Sequence, residues 1–467
     1  VASRLHVVTQ NPRVSIVSLG CSRNDVDSEE LAGRLTADGW NLVADGEQTD
    51  VVLVNTCGFI EQAKKDSIDT ILEASELLAG NGKVVAVGCL AQRYGKDLAA
   101  ELPEADAILS FDDYVEIGST LRRVLAGESI TPHTPGDRRK LLPISPAERQ
   151  SVAQSVGTPG MGPHIYRQRL EATPWAPLKI ASGCDRRCTF CAIPAFRGSF
   201  VSRDPGEIFE EAAWLGDNGV RELLLVSENS TSYGKDLGDL RLLEKLLPLL
   251  TQPEGIEWVR VSYLQPAEMR PDLISVIANT PGLVPYFDLS FQHASNAVLR
   301  RMKRFGGTDS FLDLLSAIRL HNPLAGARTN VIVGFPGETE DDLAELIAFI
   351  EGARLDAVGV FAYSDEEGTA AVKLDGHLPE HEVLARREAV SKVALRVSED
   401  VAQGRIGQQV EVLIEESGNV GRSRHQGPEV DGSTTIISEN EFEVGSFIQA
   451  VVVDCDGVDL IAREVSA

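Results

Sequence analysis

The chain has 467 residues, 43% of them hydrophobic and 24% charged, a size and balance that suit a globular protein of about three domains. No run of about 18 apolar residues occurs, so no transmembrane helix is expected, and Val1 to Arg13 lack the apolar core of a signal peptide. A net charge of −26 disfavours broad phosphate-backbone binding and makes a basic protein the easier partner, while seven cysteines are too few for a secreted disulfide scaffold and predict a reducing cytoplasm.

Three apolar, β-branched runs near the N-terminus each end at a cysteine: Val14 to Cys21, Val51 to Cys57 and Val84 to Cys89. Each reads as a buried strand. Helical patterns over Asp27 to Asp38 and Gln62 to Leu78 follow the first two, and Ala107 to Ser110 is a fourth strand candidate. Together they predict a doubly wound α/β domain over residues 13–125. In such a sheet, ligands bind outside the carboxyl ends of the strands. Adjacent strands lie about 4.8 Å apart, so Cys21, Cys57 and Cys89 are expected to converge on one object, inferred to be an iron–sulfur cluster with one open iron.

From residue 126 to 175 the pattern dissolves into Pro132, Pro135, Gly136, Pro143, Pro146, Gly157, Pro159, Gly160, Gly162 and Pro163, which reads as a linker. Then comes Gly183-Cys184-Asp185-Arg186-Arg187-Cys188-Thr189-Phe190-Cys191, directly after an apolar segment. Three thiolates at this spacing can bind three corners of one cuboidal cluster, and with no fourth cysteine nearby one iron stays open to a substrate or cofactor. Structural zinc sites usually show two C-x2-C pairs or a Cys/His set, and neither is present. The run closely resembles that of the radical S-adenosylmethionine (SAM) enzymes, which implies that the open iron chelates SAM and that the reduced cluster cleaves it to a 5′-deoxyadenosyl radical.

Strand candidates continue at Leu178–Ser182, Glu222–Val226, Trp258–Ser262, Phe287–Phe291, Thr329–Val333 and Ala357–Tyr363, with helical patterns between them and a closing helix over Glu380–Gln403. Six βα-type units fall short of the eight of a closed barrel and predict an open partial (β/α)6 barrel over residues 176–402. Polar groups at its strand ends, Ser227, Glu228 and Asn229, are candidates to hold the SAM amino group. Gln292 and His293 are candidates for the ribose or substrate. Gly334 and Gly337 are candidates for close backbone approach to a flat ring.

The tail, residues 403–467, changes to short strands at Gln409–Glu415, Gly432–Ile437, Ser446–Val453 and Leu460–Arg463 and predicts a small all-β barrel. Cys455 reads as a packed core thiol. From Gln403 onward there are twelve acids and four bases, a balance of −8.

The whole resembles the methylthiotransferase family of radical SAM enzymes. The matching residues are the six cysteines Cys21, Cys57, Cys89, Cys184, Cys188 and Cys191, with Leu19-Gly20-Cys21-Ser22-Arg23-Asn24, Asn55-Thr56-Cys57, Gln292-His293-Ala294-Ser295, Gly334-Phe335-Pro336-Gly337-Glu338-Thr339 and Tyr363-Ser364-Asp365-Glu366-Glu367-Gly368-Thr369. Asp365 departs from the family, which usually has proline there. The resemblance implies two 4Fe-4S clusters, two uses of SAM and an external electron donor. One branch of the family modifies an adenosine of transfer RNA. The other methylthiolates the β-carbon of an aspartate in a basic small-subunit ribosomal protein, the twelfth, either free or in the assembling subunit. Val26-Asp27-Ser28-Glu29, Arg197-Gly198-Ser199-Phe200-Val201-Ser202-Arg203 and Pro428-Glu429-Val430-Asp431-Gly432 look like the ribosomal-protein branch. The family's C-terminal TRAM module is usually RNA-binding; at −8, with Phe442 and Phe447 its only aromatics, this one is expected to repel RNA and attract a basic protein. The transfer-RNA enzyme is the alternative, and a non-enzymatic module with structural metals is a third reading.

Overall fold

The computed structural model describes residues 11–78, 80–161 and 165–465. Residues 1–10, where the sequence shows no signal-peptide core, and Gly162 and Pro163 of the expected linker lie outside the described residues. Two compact units are present: one runs through Glu171 and includes Ile193–Ser199, and the other comprises Ala172–Ala192 and Phe200 onward.

The first unit is built on five parallel strands, β1 (Arg13–Ser18), β2 (Asn41–Leu42), β3 (Val51–Thr56), β4 (Lys83–Val87) and β5 (Ala107–Ile108), in the order 2-1-3-4-5. Helices α1 (Ser22–Ala37), α2 (Glu61–Leu78), α3 (Gly88–Glu101) and α4 (Ile117–Leu125) connect or follow them. Every residue of β3 is buried, as expected for a central strand covered on both faces. The chain reverses direction across the sheet between β1 and β3, which creates the crevice that open α/β sheets use for ligands. The sequence pattern missed β2, which pairs through only Arg13↔Asn41 and Val14↔Leu42, and missed α3.

The Pro/Gly-rich stretch expected to be a linker is instead held on this unit. Arg138 bonds Asp112 and the Gly157 carbonyl (3.1 and 3.2 Å), and Lys96 N–H donates to the His133 carbonyl (3.0 Å). Gln168 N–H donates to the Glu29 carbonyl, and Arg167 pairs with the Glu29 carboxylate at 3.2 Å. These bonds replace the apolar periodicity that a sequence reading relies on.

In the second unit six parallel strands follow chain order: Trp175–Lys179, Glu222–Val226, Trp258–Val261, Tyr286–Asp288, Gly326–Val333 and Ala357–Ala362. Parallel bridges Val259↔Leu283 and Leu264↔Leu289 join the two halves of this sheet, giving an open six-stranded barrel wall. Its core includes Leu223, Leu225, Phe287, Phe291, Val331 and Phe349. The tail closes into a five-stranded barrel in the order Gln409–Glu416, Val420–Ser423, Thr434–Ile437, Asp459–Glu464, Phe447–Asp456; Val420–Ser423 is the strand that the sequence did not reveal. Cys455 is partly buried against Ala402, Val452 and Leu460.

Buried charges dock this small barrel on the amino-terminal ends of the larger barrel's strands. Glu222 accepts from Arg260 at 2.6 Å and Arg422 at 2.7 Å, and none of the three side chains is more than 2% exposed. The two cations outweigh burial and hold Glu222 below the ordinary carboxylate range. Asp431 of the Pro428–Gly432 run accepts from Gly427 N–H and Tyr286, and pairs with Arg328 at 3.1 Å. Glu411 accepts from the Trp258 indole (3.2 Å) and Arg424 (2.6 Å), and Glu415 from Arg422 (2.9 Å). These acids are therefore engaged at the dock. Glu416, Glu429, Glu439, Glu441, Glu443, Asp454, Asp456 and Asp459 face solvent. No helix among the described residues is long and apolar enough to cross a membrane.

Candidate metal centres

The first cysteine set is positioned by strand register. Ser18 of β1 aligns with Asn55 of β3, and Asn55 with Val87 of β4. The cysteines fall two or three residues beyond these aligned positions. Cys21 caps α1 and Cys89 lies in the first turn of α3, where the positive end of a helix dipole favours a thiolate. The flanking motif residues clasp the turns together. Asn24 donates to the carbonyls of Leu19 (2.7 Å) and Asn55 (3.1 Å), while Asn55 donates to the Asn24 carbonyl (2.9 Å) and Ser28 (2.7 Å). Gly20, at φ 107°, can be nothing larger: a Cβ there would lie 2.8 Å from the Cys57 sulfur.

The electrostatics of the three thiols differ. Burial opposes ionisation of Cys21, but the charges of Arg23 and Arg197 outweigh it and hold the thiol below its ordinary value. Burial pushes Cys57 up to about 11, with the neighbouring Cys89 and Cys21 adding to the rise. Burial also raises Cys89, against the opposing charge of Arg197. Arg23 reaches the Cys21 sulfur at 3.6 Å and Arg197 the Cys89 sulfur at 3.2 Å. A set of soft thiol donors near enough to feel one another's charge, with cations beside them, suits an anionic iron–sulfur cluster. Among the described residues no three His, Cys, Asp or Glu side chains are drawn together as one metal ion requires.

The second set lies on an irregular loop. After the first barrel strand, Ala181–Ser182 pairs antiparallel with Val201–Ser202, and residues 183–192 form no regular element. Backbone contacts give the loop its shape instead. Cys191 N–H donates to the Cys188 carbonyl (3.2 Å), Thr189 N–H to the Met302 carbonyl (3.1 Å) and Ala371 N–H to the Thr189 carbonyl (2.8 Å). The Arg186 N–H points at the Cys184 sulfur (3.4 Å), and Arg304 approaches that of Cys188 at 3.8 Å. Burial raises the Cys184 thiol well above its ordinary value, with the Arg186 N–H opposing. Metal coordination would favour the thiolates here, as burial disfavours a bare charge. Three free thiols on one short loop fit a cluster corner set.

The other expected site residues divide. Ser227 and Asn229 are buried in a turn that satisfies itself: Asn229 N–H donates to Ser227 (3.1 Å), and the Asn229 amide donates to Ser232 (2.7 Å) and Glu268 (3.1 Å). Arg186 pairs with the same Glu268 and so ties the cysteine loop to this strand end. Glu228 is half-buried and within electrostatic reach of Cys184. Of the three expected residues, it is the one whose charge bears on Cys184.

Gln292 is half-buried in the left-handed region at φ 71°. The His293 ring is completely buried. Nδ1 accepts from Ser295 N–H (3.0 Å) and Nε2 meets Glu338 (3.3 Å), which also takes Gly334 N–H and Arg386. The ring therefore sits within a buried network of loop residues. At Gly334 and Gly337 the space of a Cβ is taken by Val383 (2.6 Å) and Arg301 (2.7 Å), so neither position has room for a side chain. Asp365, the departure from the family pattern, accepts from Tyr363 (2.8 Å) and contacts His377 (3.1 Å). Sequence reasoning assigned no role to Arg23, Arg186, Arg197, Glu268 or Glu338. All but Glu268 lie in quoted motifs, but a distant partner leaves no local signature.

Comparison with known proteins agrees with this architecture. Residues 13–110 match the model described as uncharacterized protein family UPF0004, residues 178–350 the radical SAM superfamily and residues 406–465 the TRAM domain. The chain is 60% identical to the ribosomal protein uS12 methylthiotransferase RimO of Nocardioides sp. over 96% of each chain, and 58% identical to that of Kineococcus radiotolerans over the same shares. Among solved structures, the radical SAM methyltransferase TsrM from Kitasatospora setae superposes with a TM-score of 0.55, covering 83% of this chain and 89% of that one at 10% identity, a likeness of fold.

Proposed function

This chain belongs to the ribosomal protein uS12 methylthiotransferases of the RimO family, radical SAM enzymes, and from that premise we propose that it methylthiolates the β-carbon of an aspartate in its own uS12. The level register of β1, β3 and β4 carries the reading: it brings three dispersed cysteines to one sheet end, as delivery of sulfur from a second, auxiliary cluster requires. In this reading Cys184, Cys188 and Cys191 hold one 4Fe-4S cluster, and Cys21, Cys57 and Cys89 hold the other. The domains are 13–125 for the auxiliary cluster, 176–402 for radical SAM chemistry and 403–467 for TRAM.

When bound, the two clusters and two SAM molecules supply the sulfur, its methyl group and the hydrogen-abstracting radical that an unactivated C–H bond demands. The chain's own residues bind and orient. The Arg186–Glu268 pair fixes the Cys184 loop against the turn carrying Glu228, whose carboxylate is suited to the SAM ammonium. Asn24 and Asn55 hold the auxiliary cysteines in register. The exposed acids of the small barrel attract a Lys/Arg-rich protein and repel a phosphate backbone. Cytoplasmic location and an external electron donor complete the reading.

The test is anaerobic reconstitution with iron and sulfide, then reaction with SAM, reductant and either uS12 or bulk transfer RNA. The expected result is about eight irons per chain, a methylthio group on one uS12 aspartate by mass spectrometry, and weaker uS12 capture at about 1 M than at 0.1 M salt, as the Debye length shrinks from about 10 to about 3 Å. Modified adenosine with unmodified uS12 would move the assignment to the transfer-RNA branch.

A further inference from the structure

Two of the runs that mark the ribosomal-protein branch, Val26–Glu29 and Arg197–Arg203, are 170 residues apart at Asp27 and Arg197, yet they meet inside the first unit. Arg197 Nη2 donates to the Asp27 carboxylate at 2.9 Å, to the Cys89 sulfur at 3.2 Å and to the Asn24 side-chain oxygen at 3.5 Å. Its side chain is 3% exposed and that of Asp27 0%. The guanidinium carbon also stands 5.3 Å from the centre of the Phe111 ring, within cation–π range. Its charge reaches Cys21 as well as Cys89.

Such burial is expensive for a structural ion pair. Removing two charges from water costs several kcal/mol per ion, and an apolar pair of the same volume often does as well. The cost has a purpose if further negative charge arrives beside the arginine. A cluster on three thiolates brings that charge, and net charge and hydrogen bonds to the sulfurs set its potential. The rigid fork of arginine can address a carboxylate and a sulfur together, which a lysine ammonium does less well.

We propose that Arg197 is a positioning residue of the auxiliary cluster. Held by Asp27, its guanidinium donates to the Cys89 sulfur, retains the cluster and raises its reduction potential. The proposal rests on the reading that Cys21, Cys57 and Cys89 hold a cluster. Arg23, half-buried and 3.6 Å from the Cys21 sulfur, is a second cation beside the set.

The experiment uses the full chain with Cys184, Cys188 and Cys191 replaced by Ala, so that only the auxiliary cluster remains. Iron content, EPR-monitored reduction potential and apo-protein thermal stability are measured for this parent and for Arg197→Gln, Arg197→Lys and Asp27→Asn. Arg197→Gln is expected to lower iron affinity about 10–100-fold, as loss of a supporting outer-shell group does. At fixed potential its reduced-to-oxidised ratio falls about tenfold, equivalent to about 59 mV downward for one electron. Arg197→Lys, the variant safest for folding, keeps the charge and shows a smaller downward shift. Asp27→Asn removes a negative charge and shifts the potential upward. An Arg197→Lys or Arg197→Gln protein with the parent's iron affinity and potential but reduced thermal stability overturns the proposal and leaves a structural ion pair. A parent that binds no iron sinks the cluster reading instead.

Discussion

Gly20→Ala tests the auxiliary site with a single methyl group. Gly20 sits at φ 107°, a region in which a side chain costs about 1–3 kcal/mol. Its new Cβ would stand 2.8 Å from both Cβ and Sγ of Cys57, well inside the roughly 3.5–4.0 Å of ordinary carbon contact. Relief requires Cys57 to move by most of an ångström, and such overpacking costs about 1–3 kcal/mol more. Together these give at least about 2 kcal/mol, and at about 1.4 kcal/mol per tenfold the cluster-competent arrangement becomes some 30-fold rarer or worse. Gly39→Ala is the control: it has φ 80° but nothing within 4 Å of its Cβ, so it carries backbone strain without the clash. After anaerobic reconstitution, Gly20→Ala should fall from about eight to about four irons, keep deoxyadenosine release and lose methylthiolated product, while Gly39→Ala keeps all three. A Gly20→Ala protein with full iron and wild-type methylthiolation would refute the placement of Cys57 against Gly20.

The two cysteine sets should separate by function. Ala at Cys184, Cys188 and Cys191 abolishes SAM cleavage and leaves about four irons, whereas Ala at Cys21, Cys57 and Cys89 keeps cleavage and stops methylthiolation; deoxyadenosine and product assays decide. Arg422→Ala strips one cation from buried Glu222 and should destabilise by about 3–5 kcal/mol. Urea unfolding measures that loss, and a cost below about 1 kcal/mol would show the dock to be held otherwise. Burial, with Arg405 and Arg260 adding, depresses the His425 pKa well below 6.5. Between the two values the unfolded chain binds the extra proton, so stability falls as pH drops below about 6.5, by up to about 1.4 kcal/mol per pH unit. Urea midpoints from pH 7.5 to 5.5 should show that slope reduced in His425→Gln, and an unchanged slope would locate the proton elsewhere.

Local pattern sufficed for much of this molecule. Continuous β-branched runs marked the strands ending before Cys21, Cys57 and Cys89, and the strands before Cys57 and Cys89 are buried as a strand covered on both faces must be, while four of the six residues of the strand before Cys21 are only half-buried. Helix Glu380–Gln403 was legible to the residue, and the C-x3-C-x2-C spacing announced its chemistry without a fold. The two-residue strand β2 was not legible, since two residues carry no period. Helix α3 was hidden by its start inside the cysteine motif, at Gly88. Charge counts suggested an acidic docking surface but not its location: Glu411 and Glu415 turn inward to Arg424 and Arg422, and only the packed barrel shows which acids remain outside. Arg422 meets Glu222 across 200 residues and Arg197 meets Asp27 across 170. Pairs so distant leave no trace in neighbouring sequence. A buried charge is tolerated only where the folded chain brings its counter-charge, so the tertiary structure alone decides which arginine serves a cysteine and which one docks a domain.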